Sequence, residues 1–245
     1  MKNSSLSLLF SILLLAGCSA PPAQPYAGSE PLMFSLTASD GVELKADFYN
    51  SGKVLSPALL LVHMLGSDRT AWKDFSIQAK AQGFTVLAID LRGHGESQKA
   101  PLNTPEDYQA LEKDVQAGIE FLKARDVDPQ RIAVVGASIG ANTAFLQASY
   151  NDDVKAAVLL SPGLEYRGVS VQNALSGFSK PVLVAASSED AYSFESSLQI
   201  TQSLPAASTV FIKLAGAGHG TNMLDSRPDL EARILEWLAE NVRGS

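Results

Sequence analysis

Ser138, Asp190 and His219 are the residues of this chain whose types and order could do covalent chemistry. A serine hydroxyl is a weak nucleophile until an imidazole takes its proton, and the imidazole works best when an acid holds it in the right tautomer. Ser138 sits in Gly136-Ala137-Ser138-Ile139-Gly140, after the apolar run 132–135 and before a small-residue helical stretch reaching 150. Strand, sharp turn and helix in that order lift a serine above a sheet edge and set the next amide, that of Ile139, at a helix N-terminus. Glycine two positions to either side is a steric demand, because strand and helix pass close there. Of the three histidines, His63 and His94 precede the serine, while His219 follows it in Gly216-Ala217-Gly218-His219-Gly220. Asp190 closes Ser187-Ser188-Glu189-Asp190 between them, which gives the order Ser, Asp, His. Glu189 and Asp225 are the other carboxylates that could fill the acid's place.

Those side chains need a scaffold, and the apolar pattern supplies one. Residues 32–49 read as two strands around Asp40-Gly41, a strong hairpin signal. Short apolar runs then recur at 58–63, 85–89, 132–135, 156–160, 182–186 and 210–214, the signature of strands buried on both faces. Helical patterns lie between them at 70–82, 106–124, 140–150, 193–203 and 228–241. The second opens on Thr104-Pro105-Glu106-Asp107: a cap, an N1 proline and an acidic first turn. A hairpin followed by alternating strands and helices predicts an α/β domain with a mostly parallel, doubly wound sheet and an N-terminal antiparallel hairpin. Loops that follow parallel strands emerge at one sheet edge, where ligands bind in open α/β sheets. His63, Asp68, Asp90, His94, Ser138, Asp190 and His219 all follow such strands.

The N-terminus reads as a targeting segment. Lys2 precedes an apolar stretch, 6–15, too short to span a bilayer comfortably, and Leu15-Ala16-Gly17-Cys18 ends it. This resembles the lipobox of bacterial lipoproteins, in which the signal is cut before a cysteine that is then acylated; Cys18 is the one cysteine of the chain. The expected organisation is a signal peptide over 1–17, a lipidated Cys18 with a Pro-, Ala- and Ser-rich tether over 18–31, and one domain over 32–245. Such a protein is membrane-anchored through lipid without spanning the membrane. Ser19 in place of an aspartate after the cysteine leans toward the outer membrane and its periplasmic face. Charge excludes nucleic acid as a partner: 26 acidic residues face 19 basic ones, net −7, and removing Lys2 makes the balance more negative.

Taken together, residues 32–245 resemble the α/β-hydrolase superfamily. The resemblance is carried by the hairpin start, His63 at the end of the third strand, Asp90-Leu91-Arg92-Gly93-His94-Gly95-Glu96-Ser97 as a D-x-R-G-H-G-x-S motif, the turn at 136–140, Asp190 and His219. It implies a serine hydrolase that cleaves small-molecule carboxylic esters through an acyl-serine, with no cofactor and no metal. Ser138 would be the nucleophile, His219 the base and then the acid, and Asp190 its orienting partner. Ile139 and Leu65 would be the oxyanion donors. In this chain Met64 stands where the family's loop after the third strand usually has glycine, so both the Met64 and the Leu65 amide remain candidates for the second donor. Asp90, Arg92 and His94 would order loops. The interval 161–180, broken by Gly163, Gly168 and Gly177, has room for no substantial cap domain, so an open, shallow site is expected. Two alternatives stand beside this reading: a peptidase of the serine aminopeptidase type, which shares the D-x-R-G-H-G-x-S motif, and a non-enzymatic envelope binding or scaffold protein on the same fold.

Overall fold

The structure, a computed structural model, describes residues 30–242; Cys18 and the segment read as a signal peptide lie outside the described residues. Among the described residues ten strands form: β1 (Leu32–Thr37), β2 (Glu43–Tyr49), β3 (Ser56–Val62), β4 (Thr85–Ile89), β5 (Val127–Ala137), β6 (Val154–Leu160), β7 (Glu165–Tyr166), β8 (Val169–Ser170), β9 (Val182–Ser187) and β10 (Thr209–Leu214). Eight of them make one sheet in the order β1-β2-β4-β3-β5-β6-β9-β10. β1 pairs antiparallel with β2, and β2 antiparallel with β4. From β4 to β10 every pairing is parallel. The expected fold class is therefore the observed one: an α/β-hydrolase fold whose first strands form the antiparallel end.

Period-two alternation divides the core into two layers. In β3, Ala58, Leu60 and Val62 face one layer while Leu59 and Leu61 face the other. The first layer is covered by helices α3 (Leu111–Lys123), α4 (Ile139–Tyr150) and α6 (Ala191–Ser203), the second by α1 (Lys73–Ala81) and α8 (Pro228–Val242). The helix expected over 106–124 is in fact two. A short turn of helix, α2 (Pro105–Gln109), capped by Thr104 with Asp107, breaks at Ala110 before α3 begins. The break has a packing reason. α3 buries Leu111, Val115, Ile119 and Leu122 against the sheet, whereas α2 buries none of its residues and meets Gly168 on a different element.

The interval 161–180 carries the β7–β8 hairpin and the single turn α5 (Gln172–Leu175). With Glu165 paired to Ser170 and Tyr166 to Val169, only Arg167 and Gly168 form the loop. Both have positive φ, 53° and 90°, as a tight two-residue hairpin turn requires. No substantial cap is built. α7 (Asn222–Ser226) closes the loop that carries His219. Among the described residues no helix is long and apolar enough to cross a membrane.

Candidate active site

The order in which strands are added to the sheet reverses at β3, which has β4 on one side and β5 on the other, and the loops beyond these parallel strand ends enclose the crevice where such sheets bind ligands. Ser138 stands there as the single residue between β5 and α4. Its backbone is held at φ 55°, ψ −121°, a conformation that non-glycine residues rarely adopt. Surrounding contacts enforce it: Ser138 N–H donates to Leu160 O at 2.8 Å, and Ser138 O accepts from the Ala141 and Asn142 amides. A Cβ on Gly136 would lie 2.1 Å from Gly140 O, so only glycine fits where β5 passes α4. Gly140 is constrained by a different neighbour, since a Cβ there would lie 2.6 Å from the carbonyl oxygens of both Val62 and His63. The end of β3 and the start of α4 are thus pressed together beside Ser138. As the first residue of α4, Ile139 has an N–H that finds no acceptor within its own helix.

His219 comes from the loop after β10. Its Nδ1 lies 2.5 Å from Asp190 Oδ2, and the two side chains are 37% and 20% exposed. A carboxylate only accepts, so Nδ1 carries the proton and Nε2 is left with a lone pair, the tautomer a base needs. Glu189, adjacent in sequence, does something else. Its carboxylate accepts from the Gly216 and Gly218 amides at 2.9 and 2.8 Å and from the Ser187 hydroxyl at 2.6 Å. The Gly218 amide and the Ser187 hydroxyl lead the contacts that hold its pKa down at about 2. Glu189 therefore pins the loop in which His219 sits, while Asp190 holds the ring. Asp225, the third carboxylate considered, is exposed on α7.

His63 is brought to the same edge but is fully engaged in structure. Its Nε2 accepts from Leu91 N–H at 3.0 Å, which puts the proton on Nδ1, 2.8 Å from Met64 O. Burial pushes its pKa down to about 4, against the opposing pull of that carbonyl. Because N–H and C=O of one trans peptide point in opposite directions, fixing Met64 O toward His63 turns the Leu65 N–H away from it. Met64 itself reaches toward the His219 loop: a Cβ on Gly220 would lie 2.7 Å from Met64 Sδ. Asp90, Arg92 and His94 are likewise absorbed in loop order. Buried Asp90 accepts from Arg69 N–H at 2.7 Å and Glu96 N–H at 2.8 Å and pairs with the Arg69 guanidinium. Arg92 binds Asp114 and Asp40, and His94 Nδ1 lies 3.0 Å from Arg92 O. Asp68 caps the turn at Thr70, accepting its N–H at 2.9 Å.

Sequence reasoning missed three residues of this site. Ser161, left-handed at φ 51°, accepts from Gly220 N–H through Oγ at 2.9 Å and from the Tyr166 hydroxyl through its carbonyl at 3.2 Å. Ser193 on α6 places Oγ 2.7 Å from Tyr166 Oη and 3.5 Å from His219 Nδ1. The Tyr166 ring meets that of His219 edge-on, with centroids 6.4 Å apart. The one local signal was Arg167-Gly168 as a turn pair, and it flanks strands only two residues long. Ser161 and Ser193 carry no signal at all.

Residues 56–207 match the profile of the family described as serine aminopeptidase, S33. Among curated proteins, the human serine hydrolase BPHL is 33% identical over 148 residues, 59% of this chain and 47% of that protein. An uncharacterized protein of Mycobacterium bovis is 32% identical over 117 residues, 47% of this chain and 32% of that protein. The match thus spans about a third of the one relative and about half of the other. Among solved structures, the Pyrococcus furiosus esterase Pf2001 superposes with a TM-score of 0.73 at 19% identity, covering 87% of this chain and 91% of that one, a likeness of fold.

Proposed function

We propose, from the premise that the chain belongs to the serine aminopeptidase (S33) family of α/β-hydrolases, that it hydrolyses small-molecule carboxylic esters through an acyl-enzyme on Ser138. The observation that carries this reading is the 2.5 Å bond from His219 Nδ1 to Asp190 at the edge where Ser138 is held at positive φ. In the proposed reaction His219 Nε2 takes the Ser138 proton as Oγ attacks the ester carbon, and returns it to the leaving alcohol. A water activated by the same nitrogen then releases the acid. The Ile139 and Leu65 amides are the proposed oxyanion donors. Ile139 is suited by its place at the start of α4, and Leu65 by the direction that His63 imposes on the Met64–Leu65 peptide. The human relative, named as a serine hydrolase, supports the same chemistry.

The test is turnover of p-nitrophenyl esters by the mature protein and by Ser138→Ala. Wild-type turnover should fall by about 10⁴-fold or more in the variant, with its unfolding transition unchanged. Retained activity would refute the assignment. Preference for aminoacyl p-nitroanilides over esters would move the activity to the peptidase reading. Attachment to the bacterial envelope through acylated Cys18, on the outer-membrane or periplasmic side, belongs to the same proposal and rests on the 15–18 motif. Cys18→Ser should release the protein into the soluble fraction; continued membrane association at high salt would refute it.

A further inference from the structure

Tyr166 enters the site from the short β7–β8 hairpin, and the surroundings hold it far more firmly than two-residue strands could. The buried side chain of Asn142, on the helix that follows Ser138, donates to Val169 O at 2.8 Å and accepts from Gly163 N–H at 3.1 Å. Gln109 donates to Gly168 O at 3.0 Å. Tyr192 brackets Glu165, donating to its carbonyl at 2.7 Å and accepting its N–H at 3.2 Å, and its ring lies edge-on to Tyr166 at 5.5 Å. Gly163 makes room for both rings, because a Cβ there would lie within 3 Å of each.

The proton positions around Tyr166 follow from what each partner can do. His219 Nδ1 holds its proton toward Asp190, so Ser193 can only accept from the ring. Ser161 O can only accept, so Tyr166 donates to it. The Ser193 hydroxyl is then free to donate to Tyr166 Oη, and this arrangement satisfies every member. Ser138 N–H is bonded to Leu160 O and the Tyr166 hydroxyl to the carbonyl of the next residue, Ser161, so the two hydroxyl-bearing residues meet at the same end of β6, where the Ser138 side chain also acts on the tyrosine hydroxyl. Loose catalytic hydrogen bonds in a resting site commonly tighten as the reaction proceeds.

Resting on the acyl-serine reading above, we propose that Tyr166 is a further catalytic residue, whose O–H turns from the Ser161 carbonyl onto Ser138 Oγ as negative charge develops there. In acylation the Oγ–carbon bond forms as the serine proton passes to His219 Nε2 and on to the leaving alcohol. In deacylation water attacks, the carbon–Oγ bond breaks, and Oγ recovers a proton from His219. Tyr166 keeps its own proton throughout and stabilises Oγ whenever it is partly anionic, most of all when Oγ is the leaving group. Burial raises its pKa, which keeps the hydroxyl protonated and a donor. Ser193 is a positioning residue, strengthening that donor by donating into its oxygen.

Tyr166→Phe keeps the ring against Tyr192 and His219 and removes only the oxygen. With p-nitrophenyl acetate, kcat should fall about tenfold or more while KM stays within about twofold, and fluorophosphonate labelling should slow by a similar factor. Ser193→Ala should cost a few-fold. The double variant should be no worse than Tyr166→Phe alone, because Ser193 acts through the missing hydroxyl. A Tyr166→Phe protein with wild-type kcat and labelling rate would overturn the inference and leave the hydrolase reading standing. A loss confined to KM would make Tyr166 a substrate-contacting wall and also overturn it. Multiplying losses in the double variant would overturn the role given to Ser193. Wild-type protein that neither turns over nor labels would overturn the hydrolase reading, and this one with it.

Discussion

His63 and His219 occupy the same edge of one sheet and have opposite chemical standing. His63 is fully buried, and both ring nitrogens are bound to backbone, one by Leu91 N–H and one at Met64 O. His219 is over a third exposed, and only one nitrogen is held, by a carboxylate. The difference lies in the elements around them. The loops after β3 and β4 fold onto one another through Arg69 and Asp90, and Arg92 is paired with Asp114 on α3 and Asp40 of the β1–β2 turn, so the charged groups there neutralise each other. The loops after β6, β9 and β10 are joined by hydrogen bonds of Glu189, Asp190 and Ser161 that hold the His219 loop and one ring nitrogen and leave Nε2 uncommitted. A histidine at a ligand-binding edge is therefore no sign of catalysis by itself; what counts is which of its nitrogens remain uncommitted.

Substituting the two histidines separates the cases most sharply. His219→Ala should reduce ester turnover by about as much as Ser138→Ala, since the members of the proposed triad would act as a unit, with little change in stability. His63→Ala should instead cost about 1–3 kcal/mol of stability by orphaning the Leu91 amide. Its folded fraction should lose about 10- to 10²-fold in turnover, because the Met64–Leu65 peptide loses the anchor that aims a proposed oxyanion donor, and should still stay well above His219→Ala. Steady-state kinetics beside urea unfolding reads both effects. A folded His63→Ala protein as inactive as His219→Ala would erase the distinction.

Asp190 and Glu189 make the same comparison between adjacent carboxylates, and the expected effects are smaller. Asp190→Asn should lower kcat about 10²- to 10⁴-fold by allowing the wrong imidazole tautomer. Glu189→Gln should cost only a few-fold, the worth of about one hydrogen bond to the His219 loop. A silent Asp190→Asn with a severe Glu189→Gln would exchange their roles.

The weakest contrast appears in the pH dependence of stability. His63 is depressed from 6.5 to about 4 in the folded protein, so below pH 6.5 the unfolded chain binds the extra proton first. Its contribution is complete above pH 6.5 and is lost as pH falls toward 4, by about 3 kcal/mol at most. Urea midpoints measured across that window should fall in the wild type and be flatter in His63→Phe. Parallel slopes would show that other groups govern the acid limb.

Fold and site differed in how much of them the sequence displayed. Strands buried on both faces appear as unbroken apolar runs, and 85–89 matched β4 at both ends because nothing but the core selects those residues. The split of one helical pattern at Ala110 left no trace, since it answers to contacts with Gly168 made long after it in the chain. The turn at Ser138 was legible because its steric demands fall on glycines two residues away. Tyr166, Ser161 and Ser193 were not: their roles come from a hairpin too short for periodicity and from serines that look like any other. The assignments at Cys18 and over the expected signal peptide fall on residues outside those described.

The most direct test of Ser138 as nucleophile is peptide mass spectrometry of the protein after incubation with a fluorophosphonate. One phosphonyl adduct should form, on the peptide holding Ser138, and it should be absent from Ser138→Ala and strongly slowed in His219→Ala. An adduct on another serine, or equal labelling of the Ser138→Ala protein, would contradict the assignment.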